Sequence, residues 1–506
     1  MKHKIYRIVC TALCCAPLLA TAQTGGKITS PQQLYEEGES LFRQKAFAAA
    51  MPPLQAFIKQ TDAEGAPVSA AGNKEEAEYM LVCAEYELRT PNSIELLREY
   101  LDTYPDTPHA NRICALIASA YFFEGKYDDA LAMFNSSRLD LLSNEERDDM
   151  TYRLATCYLK TGNVKEAAIW FETLRSTGSR YTADCTYYLA YIRYSQQRYD
   201  DALNGFLSLQ ENAKYEALVP YYIAEIYLIK KNYDKAEIVA QNYLSAYPNQ
   251  KYTGEMYRIQ GTADYHFGEY HEAIKAFGSY LKDNAEPAPR RDALYMLGMS
   301  YYRTGVYSQV PVTLGEVTAN KDALTQNAYL HMGLAYLQLA DKNKARMAFE
   351  QAAASDADLK IKEQASYNNA LCIHETSYSA FGESVTVFEN FLNEFPNSAY
   401  ADKVSSYLIE VYMNTRSYDA ALKSIERITH PGRAILEAKQ KILFQLGTQS
   451  FANTQFEQAI GCFNQSIALG GYNLQTKADA LYWRGESYYR LNRMLSLIHI
   501  SEPTRQ

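Results

Sequence analysis

The sequence lacks the residue patterns on which most enzyme active sites are built. Neither H-E-x-x-H, a P-loop nor G-x-S-x-G occurs, and the eight histidines are scattered. His266 and His271 flank a turn beside Glu269 and Glu272, a set that can bind a metal ion in principle, but a polar turn between helices is the simpler interpretation. We therefore expect no enzyme activity, no metal site and no cofactor.

Cysteine patterns typical of metal or redox sites are also missing. No C-x-x-C occurs, and six of the nine cysteines lie beyond residue 22. Most of these six occupy apolar positions of predicted helices, where cysteine behaves as a small hydrophobic residue. We expect buried thiols; a disulfide remains the alternative in an oxidising compartment, with a pairing that the sequence does not define.

The apolar run near the amino terminus is too short for a normal membrane span. Lys2, Lys4 and Arg7 precede the apolar residues 8–19, and a small-x-small site follows before Gln23. This pattern is typical of a cleaved signal peptide over residues 1–22, with an uncleaved anchor as the alternative.

The signal peptide resembles bacterial ones, and it implies an exported protein. Cys14 and Cys15 follow leucine and cysteine instead of a small residue at the cleavage point, so no lipid anchor is expected. We expect a periplasmic or outer-membrane-associated protein of a Gram-negative bacterium, with no transmembrane segment after cleavage. Residues 23–31 then form a linker.

An excess of positive charge is absent as well. The chain has 50 lysines and arginines against 59 acidic residues, and cleavage of the signal peptide would leave 47 basic residues and a balance of −12. Nucleic-acid-binding proteins carry a basic stripe or patch. No nucleic-acid partner is therefore expected.

What the sequence does contain is a spacing of twelve residues between a small residue and an alanine. The spacing recurs in Ala118/Ala130, Ala155/Ala167, Ala190/Ala202, Ala224/Ala236, Gly261/Ala273, Gly298/Val310, Gly333/Ala345 and Gly447/Ala459. The alanine position recurs twelve times, from Ala50 to Ala459, with steps of 34 to 43 residues. A fixed internal period of this length predicts a repeat protein whose units must stack to bury their apolar faces.

Each repeat reads as a helix, a tight turn and a second helix. An aromatic residue lies three positions before most of the alanines, and a large apolar residue lies four positions after them, as in Tyr270, Ala273 and Phe277. Spacings of three and four place these side chains on one face of a helix. Pro311, and likewise Pro52 and Pro53, should kink or shorten the second helix in which they lie.

This order of residues resembles the tetratricopeptide repeat, over residues 32–493. Small-x-x-Tyr is followed by Ala-x-x-x-Phe and, in several repeats, by an aromatic–proline pair such as Tyr247-Pro248. The resemblance implies an all-α, right-handed superhelical solenoid of antiparallel helix pairs. We expect about twelve repeats and the first helix of a thirteenth.

The carboxy-terminal residues do not continue the repeat. The thirteenth repeat should supply a small residue twelve positions after Gly485, but Leu497 stands there, and residues 495–506 resemble translated sequencing adapter. We expect residues 494–506 to be a non-native tail of a truncated gene; a natural but unusual carboxy terminus is the alternative.

Tyrosine is unusually frequent, with 44 residues. In the tetratricopeptide family, the positions three before and four after the small residue line a concave groove. By this placement the groove carries Tyr152, Tyr187, Tyr194, Tyr221, Tyr265, Tyr295 and Tyr302, together with the neighbouring Tyr191 and, near the end, Tyr482 and Tyr489. Tyrosine offers a large contact surface and a hydroxyl group at little cost in entropy, which suits recognition. The alternative is that these rings pack against neighbouring helices.

Three functions are compatible with these features. The first is a non-enzymatic protein–protein interaction scaffold in the bacterial cell envelope, which binds a peptide or protein partner in the tyrosine-rich groove. The second is a glycan- or peptidoglycan-binding repeat protein, because aromatic rings also suit sugars. The third is the amino-terminal repeat region of a larger protein with a downstream domain.

Overall fold

The computed structural model of the 506-residue chain describes residues 30–62, 73–283, 288–376, 382–414 and 417–491. All regular elements in these ranges are helices. The predicted signal peptide, nearly all of the linker and the tail at 494–506 lie outside the described residues, so these three predictions are not tested.

The chain divides into two compact units at Leu209–Gln210, and each is described by itself. The described part of the N-terminal unit has ten α-helices: α1 (Pro31–Arg43), α2 (Phe47–Thr61), α3 (Lys74–Glu87), α4 (Ser93–Thr103), α5 (Ala110–Phe123), α6 (Tyr127–Asn135), α7 (Asn144–Lys160), α8 (Val164–Ser176), α9 (Thr182–Ser195) and α10 (Tyr199–Leu207). A short 3-10 helix, Leu139–Leu141, lies between α6 and α7.

The described part of the C-terminal unit has fifteen helices: α11 (Val219–Ile229), α12 (Tyr233–Ala246), α13 (Thr253–Phe267), α14 (Tyr270–Asp283), α15 (Arg291–Arg303), α16 (Val310–Gly315), α17 (Ala323–Gln338), α18 (Lys342–Ala353), α19 (Leu359–Thr376), α20 (Glu383–Glu394), α21 (Ala401–Asn414), α22 (Tyr418–Glu426), α23 (Arg433–Ala452), α24 (Phe456–Ala468) and α25 (Leu474–Arg490).

Odd-numbered helices are the first helices of repeats and even-numbered helices are the second ones. Each odd-numbered helix from α1 to α23 packs on the helix that follows it, and α25 stands where the first helix of the thirteenth repeat was predicted. The prediction of an all-α protein made of about twelve antiparallel helix pairs and one further first helix is confirmed.

The twelve-residue spacing has a steric cause. The residue at the alanine position is buried in every second helix except at Ser93, which is half-buried. The large residue four positions later lies beside the small residue of the first helix. A Cβ atom added to Gly333 would lie 2.5 Å from the ring of Phe349, and one added to Gly447 would lie 2.5 Å from the ring of Phe463. Gly38, which the sequence analysis did not use, stands in the same relation to Leu54.

The proline predictions had different outcomes. Helix α16 begins only at Val310, has Pro311 in its first turn and contains six residues, so this second helix is short as predicted. Helix α2 runs for fifteen residues through Pro52 and Pro53, so the prediction of shortening was wrong there. Burial of Ala50, Leu54 and Phe57 along one face offsets the loss of backbone hydrogen bonds at the two prolines.

A polar side chain seven positions before the small residue ties several first helices to the backbone that follows the second helix. The Gln326 Nε2 atom donates to the carbonyl oxygen atoms of Ala352 (3.0 Å) and Ser355 (2.5 Å), and its Oε1 atom accepts from the Asp358 amide (2.7 Å). Gln440 bonds its repeat in the same way. Asn111 and Arg291 hold the same position and also donate to backbone carbonyl groups.

Candidate partner-binding face

The tyrosines predicted to line the groove all lie on first helices, and we call the surface that they share in each unit the first-helix face. In the N-terminal unit, Tyr152, Tyr187 and Tyr194 are half-buried and Tyr191 is 39% exposed. In the C-terminal unit, the half-buried residues are Tyr221, Tyr265, Tyr295 and Tyr302. Tyr482 and Tyr489 in α25 are exposed.

Three of these tyrosines form an aromatic pair across the turn of their own repeat. The ring four positions after the small residue meets the aromatic ring five residues later, near or at the start of the second helix, with the two planes 65–67° apart. The pairs are Phe42/Phe47, Phe122/Tyr127, Tyr194/Tyr199, Tyr265/Tyr270, Tyr302/Tyr307 and Phe451/Phe456. We call them the turn pairs.

Comparison of the turn pairs shows which part of the tyrosine side chain the turn requires, the ring or the hydroxyl group. An edge-to-face contact of two rings stabilises the turn between the two helices of a repeat. Phenylalanine occupies the first-helix position in three of the six pairs, so the contact itself needs no hydroxyl group. The hydroxyl groups of Tyr194, Tyr265 and Tyr302 are therefore additional to what the turn requires.

Two other predicted tyrosines join consecutive repeats. Tyr152 stacks face to face on Tyr181, with ring centroids 4.4 Å apart, and Tyr221 stacks on Tyr252 at 4.5 Å. Each partner ring immediately precedes the next first helix. The stacks Tyr79/His109 and Tyr367/Tyr400 repeat this arrangement. One face of Tyr152 and of Tyr221 is thus covered by the protein itself.

The remaining two tyrosines of the N-terminal unit lie close to one another on α9. The Tyr187 ring contacts Tyr188, at 5.4 Å between centroids, and Phe206, at 6.1 Å. Tyr191 follows one turn later and is the most exposed of the predicted tyrosines outside α25. The structure places all ten predicted tyrosines at the surface or partly at it, and their binding of a partner remains a prediction.

In the C-terminal unit the first-helix face brings together tyrosine, asparagine and histidine side chains. The Tyr295 hydroxyl group donates to the Asn327 Oδ1 atom at 2.9 Å. The Tyr302 ring meets the edge of the His331 ring at 5.2 Å, and the His331 Nδ1–H donates to the Asn327 carbonyl oxygen at 3.0 Å. Helices α15 and α17 thus share one polar aromatic surface.

Arg303 adds a positive charge to this surface, near enough to act on Tyr265, Tyr295, Tyr302 and His331. Its side chain is exposed, and among the described residues it forms no hydrogen bond or ion pair. Burial raises the pKa of Tyr265, of Tyr302 and of Tyr295, the last to about 12, while the positive charge of Arg303 acts on all three in the opposite direction. Burial lowers the pKa of His331, and Arg303 adds to that effect. At neutral pH the surface therefore offers protonated hydroxyl groups around one uncompensated cation.

A buried ion cluster on the same face was not predicted from the sequence. Arg258 holds the position three before Gly261, where other repeats have tyrosine, and is 3% exposed. Its guanidinium group contacts Glu225 at 2.5 Å and Glu255 at 2.6 Å, and Arg290 contacts Glu225 at 3.2 Å. The small-residue register would have placed Arg258 here, had it been applied to every residue type and not to tyrosine alone.

The other candidate sites have structural explanations. The His266 ring stacks on Tyr233 at 4.1 Å, and no group of three or more possible ligands that could hold a metal ion occurs within the described ranges. Two pairs of adjacent carboxylates that resemble an acid–base site, Asp128-Asp129 and Asp200-Asp201, lie in the first turns of α6 and α10, where acidic residues favour the helix dipole. All six cysteines beyond residue 22 are free thiols, and four of them are buried.

No helix in the described part of the chain is both long and apolar enough to cross a membrane.

Comparison with known sequences identifies the repeat. A family model described as tetratricopeptide repeat matches residues 115–181 and 260–308, and a second model of the same description matches residues 326–359. These stretches coincide with repeats defined by the small-residue spacing. A search of curated protein sequences finds no match.

Solved structures of similar proteins include two from bacteria. A tetratricopeptide repeat protein from Parabacteroides merdae has 15% identity and a TM-score of 0.34, and the match covers 51% of this chain and 99% of that one. The C-terminal part of a repeat-containing protein from Cytophaga hutchinsonii has 15% identity and a TM-score of 0.37, over 49% of this chain and 97% of that one. The APC/C hetero-tetramer Cut9-Hcn1 has 12% identity and a TM-score of 0.26, over 91% and 96%.

The repeated helix pairs, the steric fit of each small residue and the matching family models agree with one another. The chain therefore contains tetratricopeptide repeats, which support a role as a scaffold for binding other proteins.

Proposed function

We propose that this protein is a scaffold of the bacterial cell envelope that binds a peptide or an extended protein segment on its first-helix face. The observation that carries the proposal is the set Tyr265, Tyr295, Tyr302 and Arg303. Their hydroxyl groups and the cation are not needed for the turn pairs, and they lie on one surface of the C-terminal unit.

The chemistry of this surface indicates the kind of segment that it binds. Tyrosine rings give contact area with few rotatable bonds, and their hydroxyl groups bond backbone amides of an extended peptide. Arg303 favours an acidic side chain at the position that meets it, since a guanidinium group pairs well with a carboxylate. Histidine and asparagine add neutral polar contacts.

A displayed library of random peptides tests this role and does not require the natural partner to be identified. Selection on the wild-type protein should enrich peptides that contain Asp or Glu, and their binding should weaken at least tenfold in the variant Arg303→Glu. The control is Arg175→Glu in the N-terminal unit, where binding should not change. Enriched peptides with no acidic residue, or equal binding by both variants, would contradict the proposed surface.

The envelope location rests on the amino-terminal sequence, and its test is separate. The full chain should appear in the periplasmic fraction of a Gram-negative host, with Gln23 as its first residue by amino-terminal sequencing. A protein that keeps Met1 and remains in the cytoplasm would contradict export, whatever the result of the peptide selection.

A further inference from the structure

A cavity of about 430 Å³ lies in the N-terminal unit, at the second helices α6 and α8 and the 3-10 helix between α6 and α7. Its walls come from these elements and from α7. None of the tyrosines of the first-helix face lines it. The volume falls in the range of small-molecule sites.

Three aromatic side chains line the cavity, and none of them packs on another ring of the described residues. Phe134 is buried, whereas Trp170 and Tyr158 are half-buried and pack against apolar side chains of the neighbouring cores. Neither makes a ring–ring contact within the described part of the chain, although most aromatic residues in this protein do. Nor does the Trp170 indole N–H or the Tyr158 hydroxyl group form a hydrogen bond to another described residue.

Asp148 is a carboxylate at a position that carries a hydrogen-bond donor in four other repeats and none in several more. It lies seven positions before the small residue Ala155, where Gln326 and Gln440 donate to the backbone that follows the second helix. A carboxylate has no proton to donate to those carbonyl groups. Asp148 accordingly forms no hydrogen bond or ion pair with the rest of the described chain, and its side chain lines the cavity.

The charges of the wall decide which ligand fits. Arg138 and Arg147 are balanced by Asp140 and Asp148, so neither an anion nor a cation gains a net attraction. The rest of the polar wall consists of hydroxyl and amide groups, from Asn135, Ser137, Thr151, Thr173 and Thr177. A neutral ligand with an apolar face and several hydroxyl groups matches both parts of the cavity.

We propose that this cavity binds a neutral saccharide, whose C–H face packs on Trp170 and Tyr158 and whose hydroxyl groups donate to Asp148. The site goes beyond the peptide-binding role, because it uses other residues and a different ligand class. Loss of either activity by mutation leaves the other testable.

Tryptophan fluorescence provides the experiment, because the chain has only two tryptophans. The variant Trp483→Phe leaves Trp170 as the single reporter, and it is titrated with maltose, cellobiose and N,N′-diacetylchitobiose. At least one disaccharide should give a saturable change in Trp170 emission. No saturable change with any of the three would overturn the proposal.

The variant Asp148→Asn in the same background distinguishes binding from packing. Asparagine restores an N–H donor, so it should bond the backbone as Asn111 does, raise the midpoint of thermal unfolding and weaken the saccharide response at least tenfold. The control Asp129→Asn, exposed at the start of α6, should change neither. A response that Asp148→Asn retains, or one given only by the tripeptide Gly-Arg-Gly, would overturn the proposal.

Discussion

Two regions of each repeat follow the same repeat register, but different forces determine their residues. One is the seam, by which we mean the contact between the small residue of the first helix and the large residue of the second helix. The other is the first-helix face. At the seam, Gly333 must be small because the Phe349 ring occupies the space beside it. On the face, Tyr302 needs its ring for the turn pair, but Phe42, Phe122 and Phe451 show that this contact needs no hydroxyl group. The seam is thus fixed by packing, whereas the turn pair on the face does not require the Tyr302 hydroxyl group.

The substitution Arg258→Met tests whether this residue of the first-helix face stabilises the fold as a core residue does. Replacement by methionine should lower the free energy of unfolding by about 3–5 kcal/mol, because Glu225 and Glu255 would be left without their buried cation. The measurement is chemical unfolding followed by circular dichroism. The control Lys275→Met removes an exposed pair with Glu272 and should change stability by less than about 0.5 kcal/mol. If Arg258→Met changes the free energy of unfolding only slightly, Arg258 does not act as a core residue and belongs with the candidate binding residues instead.

Replacement of glycine by alanine tests the seam, because it should lower the stability at Gly333 and raise it at Gly278. Gly333→Ala should lower stability by about 1–3 kcal/mol, since the added Cβ overlaps the Phe349 ring. Gly278→Ala, within α14, meets no atom within 4 Å and should raise stability by about 0.5–1 kcal/mol through helix propensity. Equal effects in thermal or chemical unfolding would show that packing does not set the small-residue position.

Asp264, near the first-helix face, should make the stability of the protein depend on pH, with a smaller effect than that of Arg258. It is 2% exposed, its Oδ2 atom has no hydrogen-bond partner among the described residues, and burial, with Glu237, Glu269 and Glu272 nearby, raises its pKa to about 7. The folded state holds this proton up to about pH 7 while the unfolded state loses it near pH 4, so the stability contribution is present at low pH and is lost as pH rises between these values.

The variant Asp264→Asn removes this dependence. It should raise stability by about 1–3 kcal/mol at pH 8 and have little effect at pH 4, since the buried charge forms only at the higher pH. The comparison uses thermal unfolding at the two pH values, with exposed Asp234→Asn as the control. A gain that is the same at both values would exclude a buried carboxylate as its cause.

The sequence predicted the seam well and the face only in part. The small residue, the alanine and the large residue recur in register, so the helix pairs follow from local sterics. The stack of Tyr152 on Tyr181 depends on how consecutive repeats pack, and the sequence does not specify that geometry. Arg258 was missed because it stands where most other repeats have tyrosine, and Asp148 was missed because its position varies from repeat to repeat. Pro52 and Pro53 did not shorten their helix because buried apolar contacts outweighed two lost backbone hydrogen bonds.

The most direct test of the central claim removes three hydroxyl groups and keeps the rings. In the variant Tyr265→Phe/Tyr295→Phe/Tyr302→Phe, the turn pairs remain and the unfolding free energy should change by about 1 kcal/mol or less. Binding of the selected peptides should weaken at least tenfold by calorimetric titration. The matched control Tyr233→Phe/Tyr270→Phe/Tyr307→Phe removes as many hydroxyl groups, all from residues outside the first helices, and should leave the Kd unchanged. Equal peptide affinity in the wild-type protein and the first variant would contradict the account.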